Sequence, residues 1–237
     1  MKHLFTIFLS GIVLSSTAQE AKKDQYIPLV TKSIGVSFQQ FDGLNSRIAN
    51  LPQYKQLKNA TGTLGLGWLK ERNRIISGAG ITIGSSMSGN VDEKSSNLRF
   101  INLNIDLGYD LLKSEKAMLY PLVGLGFQNY QAIFYKDNRA VNFNDVLQSP
   151  TVQNNLSSVR FNNSFLVYRV GFGVSVQSPK HPSNSIGLQA GYAGSFNQQT
   201  WRSSENQLLG NAPQDNLSQF FISLVLTSKP WFMKGNK

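Results

Sequence analysis

Few side chains in this 237-residue chain are suited to acid–base, nucleophilic or metal chemistry. There is no cysteine, which removes disulfides, thiolate metal sites, a cysteine nucleophile and a lipid-modified cysteine anchor. The only histidines are His3 and His181. Proton transfer near neutral pH favours histidine. His3 falls in a leader-like segment, and His181 sits in the turn-like Ser178-Pro179-Lys180-His181-Pro182, where a solvated turn residue is the expected reading. No Ser/His/Asp, metal-ligand or phosphate-loop pattern stands out. The glycines of Gly78-Ala79-Gly80-Ile81-Thr82-Ile83-Gly84 lie in a strand-like stretch with no helix behind them, so they lack the context of a dinucleotide fingerprint. The expectation is a protein with no enzymatic activity, no cofactor and no metal. A lipid-modifying enzyme working with carboxylates alone is the last alternative.

Two groups of charged residues remain. Asp106 and Asp110 share the polar side of a period-2 stretch with Asn102, Asn104 and Gly108, opposite Ile101, Leu103, Ile105, Leu107 and Tyr109. Arg169 shares the polar side of another with Gly171, Gly173 and Ser175, opposite Leu166, Tyr168, Val170, Phe172, Val174 and Val176. If the polar sides face a narrow interior, these charges need partners there. An ion pair among Asp106, Asp110 and Arg169 is expected, filling the interior rather than gating it. The second group is Lys55, Lys58, Arg99, Lys136, Arg139, Arg160 and Arg202, in or beside polar links. Both lysine and arginine bind phosphate. With 23 Lys+Arg against 13 Asp+Glu, the formal net charge is +10. For an exported chain that balance points to anionic lipid or lipopolysaccharide rather than nucleic acid. Solvated loop charge is the plain alternative.

The elements that would position these residues begin after a leader. Lys2 and His3 precede an apolar run at 4–14, and Ser16-Thr17-Ala18 has the small-x-small pattern of a cleavage site. Residues 1–18 therefore read as a secretory signal peptide and 19–237 as one domain. The apolar run is too short to span a bilayer, which takes roughly 20 helical residues. Later apolar stretches are short, and 119–127 is broken by Pro121, Gly124 and Gly126. A membrane protein with this profile has to cross as a barrel, since the bilayer requires every backbone polar group to be paired.

Strands are expected at 31–41, 61–70, 75–86, 101–110, 117–134, 162–177, 184–196 and 217–228. The links alternate: short at 71–74, 113–116 and 178–183, long and rich in Asn, Gln, Ser and Asp at 42–60, 87–97, 135–161 and 197–216. That rhythm predicts an all-β fold, an eight-stranded antiparallel up-and-down transmembrane β-barrel with tight periplasmic turns, long outer loops and both termini in the periplasm. Aromatic girdles are expected from Trp68, Tyr109, Tyr120 and Trp231 at the turn side and from Phe41, Tyr130, Tyr135, Phe196 and Trp201 at the loop side. A soluble periplasmic barrel would instead turn its apolar faces inward. The scarcity of Lys and Glu on the polar faces argues against it. Eight strands leave an interior that side chains fill, so a wide pore is not expected.

The signal peptide, the Gly-aromatic alternation (TLGLGWL, LVGLGF, YRVGFGV, LQAGYAGSF) and the closing strand FFISLVL resemble the small outer-membrane barrels of the OmpA-type transmembrane domain and OmpX kind. In style they are most similar to the PorT-like outer membrane β-barrel family. The tail departs from the pattern: residues 227–237 run past the last strand, and Phe232 would be an imperfect terminal aromatic. The resemblance implies a structural anchor, an adhesion or binding platform, or an accessory of an outer-membrane secretion or transport complex. In that last case an outer-membrane protein partner would meet basic turns at Lys70, Arg72, Arg74, Lys113 and Lys116.

Overall fold

The computed structural model describes residues 28–90, 93–112, 114, 116–156, 158–179 and 184–230. The expected signal peptide, Lys113, His181, Trp231 and Phe232 lie outside them. Eight strands form the wall: β1 (Leu29–Gln39), β2 (Ala60–Arg72), β3 (Ile75–Ser88), β4 (Ser95–Tyr109), β5 (Ala117–Tyr135), β6 (Val159–Gln177), β7 (Ser185–Ser195) and β8 (Ser218–Ser228). Every neighbour pair is antiparallel, and the order β5-β4-β3-β2-β1-β8-β7-β6 is closed by pairing of β5 with β6. The molecule is a closed eight-stranded up-and-down barrel.

Its wall is polar inside and apolar outside. Ile34, Val36 and Phe38 of β1, Leu64, Leu66 and Trp68 of β2, and Ile101, Leu103, Ile105, Leu107 and Tyr109 of β4 are all exposed. So are Leu166, Tyr168, Val170, Phe172, Val174 and Val176 of β6 and Phe220, Ile222, Leu224 and Leu226 of β8. Glycines, hydroxyls and amides take the alternate, inward positions. The stretch of β6 from Leu166 to Val176 covers about 33 Å of strand. At the tilt usual for such barrels that is about 25 Å of height, matching the apolar band of a transmembrane barrel.

Beyond that band, on the side of the long links, the pattern reverses. On β4 the inward residues become Leu98 and Phe100, and the outward ones Asn97 and Arg99. Tyr130, Ala132 and Phe134 of β5 and Phe165 of β6 also turn inward and are buried. These strands extend past the band with the polarity of a soluble barrel. The six-residue connection at 89–94 corrects the expected long link at 87–97, because β3 and β4 stay paired up to Ser88 and Ser96.

The extended end is filled. Phe41, Leu44, Ile48 and Leu57 from the β1–β2 link join Leu98, Phe100, Tyr130, Phe134, Phe165, Trp201 and Leu217 in one core. Helix α1 (Asp42–Ala49) supplies Leu44 and Ile48 to it. The β5–β6 link carries two short helices, α2 (Phe143–Gln148) and α3 (Pro150–Leu156). Thus Phe41, Tyr130 and Trp201 are interior core residues, not the girdle members expected of them. Tyr120 is likewise buried, with Leu69, Ile76 and Leu122 at the turn end. The aromatic surface at the loop end is instead an outward arc of Phe38, Phe220, Tyr192, Tyr168 and Phe196, with ring centroids 5.1 Å apart for Tyr192–Phe220 and 5.5 Å for Tyr168–Phe196. At the turn end, Asn73 and Arg74 both take positive φ, 50° and 69°, the backbone of a two-residue type I′ hairpin.

Candidate functional site

The polar layer lies in mid-barrel, between the loop-end core and the small apolar cluster at the turn end. Asn102, Asn104 and Asp106 are successive inward residues of β4. The Asn102 amide donates to Asn104 Oδ1 at 3.2 Å, and the Asn104 amide donates to Asp106 Oδ2 at 2.6 Å. Arg169 Nη1 stands 3.6 Å from the same Asp106 oxygen. The register explains the reach. Asp106, Gly124 and Arg169 are direct partners on β4, β5 and β6, so Arg169 crosses a position with no side chain. A Cβ on Gly124 would meet the Asp106 carboxylate. The Arg169 guanidinium also lies 4.9 Å from the Phe221 ring centroid, a cation–π contact.

Other lumen groups satisfy one another. Tyr130 Oη donates to Gln128 Oε1 at 2.7 Å, Gln128 Nε2 donates to Gln219 Oε1 at 3.0 Å, and Gln219 Nε2 donates to Tyr130 Oη at 3.2 Å, closing a buried triangle. Ser37 donates to Gln39, which donates to Thr61. The cavity left between these networks is about 120 Å³. Asn102 Oδ1 and Asp106 Oδ1 are buried there with no hydrogen-bond partner among the described residues. A space of this size suits a few waters, which such acceptors bind. The aromatic core lies on its loop side.

Asp110 is not part of this layer, which corrects its expected place beside Asp106 and Arg169. The ladder of β4 ends at Tyr109, paired with Ile75. One residue further on, the Asp110 carboxylate accepts from the backbone N–H groups of Leu112 and Leu119 at 3.2 and 3.1 Å. Its carbonyl accepts from Arg74 Nε at 2.9 Å. Turn amides left unpaired by the end of the ladder claim the carboxylate.

A buried acid that the sequence pattern did not single out holds the loop end together. Asp215 Oδ1 accepts from Gly43 N at 2.7 Å, and Oδ2 accepts from Leu44 N at 3.0 Å and from Trp201 Nε1 at 2.7 Å. It is an N-cap delivered from another loop, satisfying two of the amides that α1 leaves open at its start. Burial pushes the Asp215 carboxyl above the usual carboxylate range, opposed by these three donors. The only sequence signal was weak: an acid within the polar run before the last strand.

The seven basic residues do not gather at one place. Lys55 and Lys58 are exposed on the β1–β2 link, and Lys136 is exposed just past β5. Arg139 pairs with Asp137 at 2.7 Å and with Glu93 at 3.5 Å, and its hydrogen bonds hold the Asp137 carboxyl down at about 2. Arg99, Arg160 and Arg202 lie on the wall around β4, β5 and β6.

No protein-family model matches the chain. No curated protein matches it. Among solved structures it is similar to the attachment invasion locus protein Ail of Yersinia pestis, in complex with the heparin analogue sucrose octasulfate. The identity is 14% and the TM-score 0.47, over 86% of this chain and 99% of that one. Neisserial surface protein A matches at 11% identity and TM-score 0.46, over 86% and 97% of the two chains. A major outer membrane protein from Thermus thermophilus matches at 11% identity and TM-score 0.49, over 86% and 99%. By its inside-out wall, closed ladder and filled interior, this chain has the architecture of a small outer-membrane β-barrel.

Proposed function

We propose that this barrel is a non-enzymatic integral protein of the bacterial outer membrane, with its turns and both termini in the periplasm. It acts as a structural or surface-binding protein through its loop end. The observation that carries the reading is the packing of that end: α1 sits in the barrel mouth, tied by Asp215 and Trp201 over the aromatic core. A mouth built this way offers a rigid base for recognition rather than a passage. Above the base, Phe143 and Leu147, one turn apart on α2, are 74% and 66% exposed, and Leu208 is 65% exposed. Apolar side chains held out in this way suit a protein-binding surface. The buried carboxylates are occupied by Arg169, by α1 and by the turn amides, which supports a structural use of each.

An accessory role in an outer-membrane complex is the second reading. Contact through the basic turns is less favoured than contact at the loop end, because Arg74 is engaged by the Asp110 carbonyl and lies 4.7 Å from the Tyr109 ring centroid. The absence of cysteine gives a clean test. Ala140→Cys should react with an impermeant maleimide on intact cells, and Ser114→Cys only after the outer membrane is opened. The reverse pattern would overturn the orientation. A stoichiometric protein cross-linked through Ser114→Cys would favour the accessory role.

A further inference from the structure

The wall of β4, β5 and β6 carries a site on its outer face. Directly paired residues of antiparallel strands share a face, so the register fixes the rows. Leu103, Phe127 and Leu166 form the last wholly apolar row. The next is Ile101, Asn129 and Ser164, where the Asn129 amide donates to Ser164 Oγ at 2.7 Å. Then come Arg99, Gln131, Asn162 and Arg202, with Arg202 on the short strand that takes the place of β7 beside β6. Arg160 follows one row higher, opposite Ile133.

This is where the polarity of the strands reverses, at the edge of the apolar band. On β1, β8 and β7 that edge is aromatic, with Phe38, Phe220 and Tyr192. On β4 to β6 it is made of amides and arginines. The row from Arg99 to Arg202 spans three strand spacings, about 14 Å. Arg99, Arg160 and Arg202 have no carboxylate within 4 Å among the described residues. Arg99 Nε donates to Asn97 Oδ1 at 3.3 Å, Arg160 Nε to Ser158 Oγ at 3.2 Å and Arg202 Nη1 to the Asn206 carbonyl at 3.3 Å. Each planar fork has five donors, so most remain for a ligand.

We infer that this face binds the phosphorylated headgroup of a glycolipid in the outer leaflet, with Arg99, Arg160 and Arg202 on the phosphates and Gln131 and Asn162 on the sugar hydroxyls between them. The inference rests on the membrane reading proposed above. It selects three of the seven basic residues considered as lipopolysaccharide contacts and sets aside Lys55, Lys58, Lys136 and the carboxylate-paired Arg139. Guanidinium forks match phosphate geometry. A headgroup is the partner in reach, because its acyl chains would lie on Leu103, Phe127 and Leu166 directly below.

The full chain, refolded in neutral detergent, would be titrated with bisphosphorylated lipid A and with dephosphorylated lipid A, and binding read by native mass spectrometry. The variants are Arg99→Gln/Arg160→Gln/Arg202→Gln and the control Lys55→Gln/Lys58→Gln. Each arginine near a charged lipid surface is worth on the order of fivefold. The triple variant should therefore bind bisphosphorylated lipid A roughly 100-fold more weakly, with the control unchanged and the dephosphorylated lipid bound weakly throughout. Equal binding by the triple variant and the parent would overturn the site. So would displacement of the lipid by millimolar inorganic phosphate, which would make this a simple anion site. Flotation with phosphatidylcholine vesicles separates the two readings: a parent chain that does not float overturns the membrane reading and the site with it, and one that floats but shows equal binding overturns the site alone.

Discussion

Arg169 and Asp106 meet because Gly124 stands between them in the same row. Removing one partner of a buried pair leaves an uncompensated charge and costs about 3 kcal/mol, whereas replacing both with neutral groups costs much less. Arg169→Met should lower barrel stability by about that much in urea unfolding from vesicles, followed by tryptophan fluorescence. The double variant Asp106→Asn/Arg169→Met should recover most of the loss. Unchanged stability in Arg169→Met would show that the contact contributes nothing. The placement of these two residues was legible because both lie in long, regular alternations whose polar side must face inward. Asp110 was not, because the same alternation runs one residue past the end of the ladder, and period alone does not mark where pairing stops. Asp215 was hidden for a different reason. Its role depends on α1, 171 to 172 residues away in sequence, and nothing local to Asp215 encodes that contact.

At the scale of elements, the loop end depends on one strap between two links. Asp215→Ala would strand the first amides of α1 and the Trp201 indole, at a cost of about 2 kcal/mol. The expected result is faster proteolysis within 42–59 and a changed near-ultraviolet signal from Trp201, with the wall strands still folded. Asp215→Asn keeps an acceptor and should lose less. The pH dependence has a definite sign. A carboxyl raised by burial contributes most when protonated, below its unfolded value of about 3.9, and that contribution is lost as pH rises through the higher folded value. The protease resistance of the parent relative to Asp215→Asn should therefore fall as pH rises from about 3.5 towards neutrality. The inversion that builds this end also explains the missed length of β4. In SSNLRF, residues 95–100, the inward positions are Leu98 and Phe100. The apolar residues thus change sides relative to 101–109, and the stretch no longer continues one alternating pattern.

The whole molecule is decided by which side of the wall is apolar. A soluble barrel with the same strands would bury Ile105 and Leu107; here they are 56% and 58% exposed. That difference gives opposite expectations for one substitution. In a bilayer, an outward arginine at mid-band costs about 2–4 kcal/mol and less towards the edges. In water, an exposed isoleucine replaced by arginine costs almost nothing. Ile105→Arg should therefore reduce folding into phosphatidylcholine vesicles strongly, read as the heat-modifiable shift of the folded band on a gel. Ile101→Arg, one row below Arg99, should be tolerated, because the added guanidinium can reach the headgroup level that the Arg99 row already occupies. Equal tolerance at both positions would mean that no apolar solvent surrounds the wall. A graded cost from Ile105 to Ile101 would locate the bilayer edge at the row where the polarity of β4, β5 and β6 reverses.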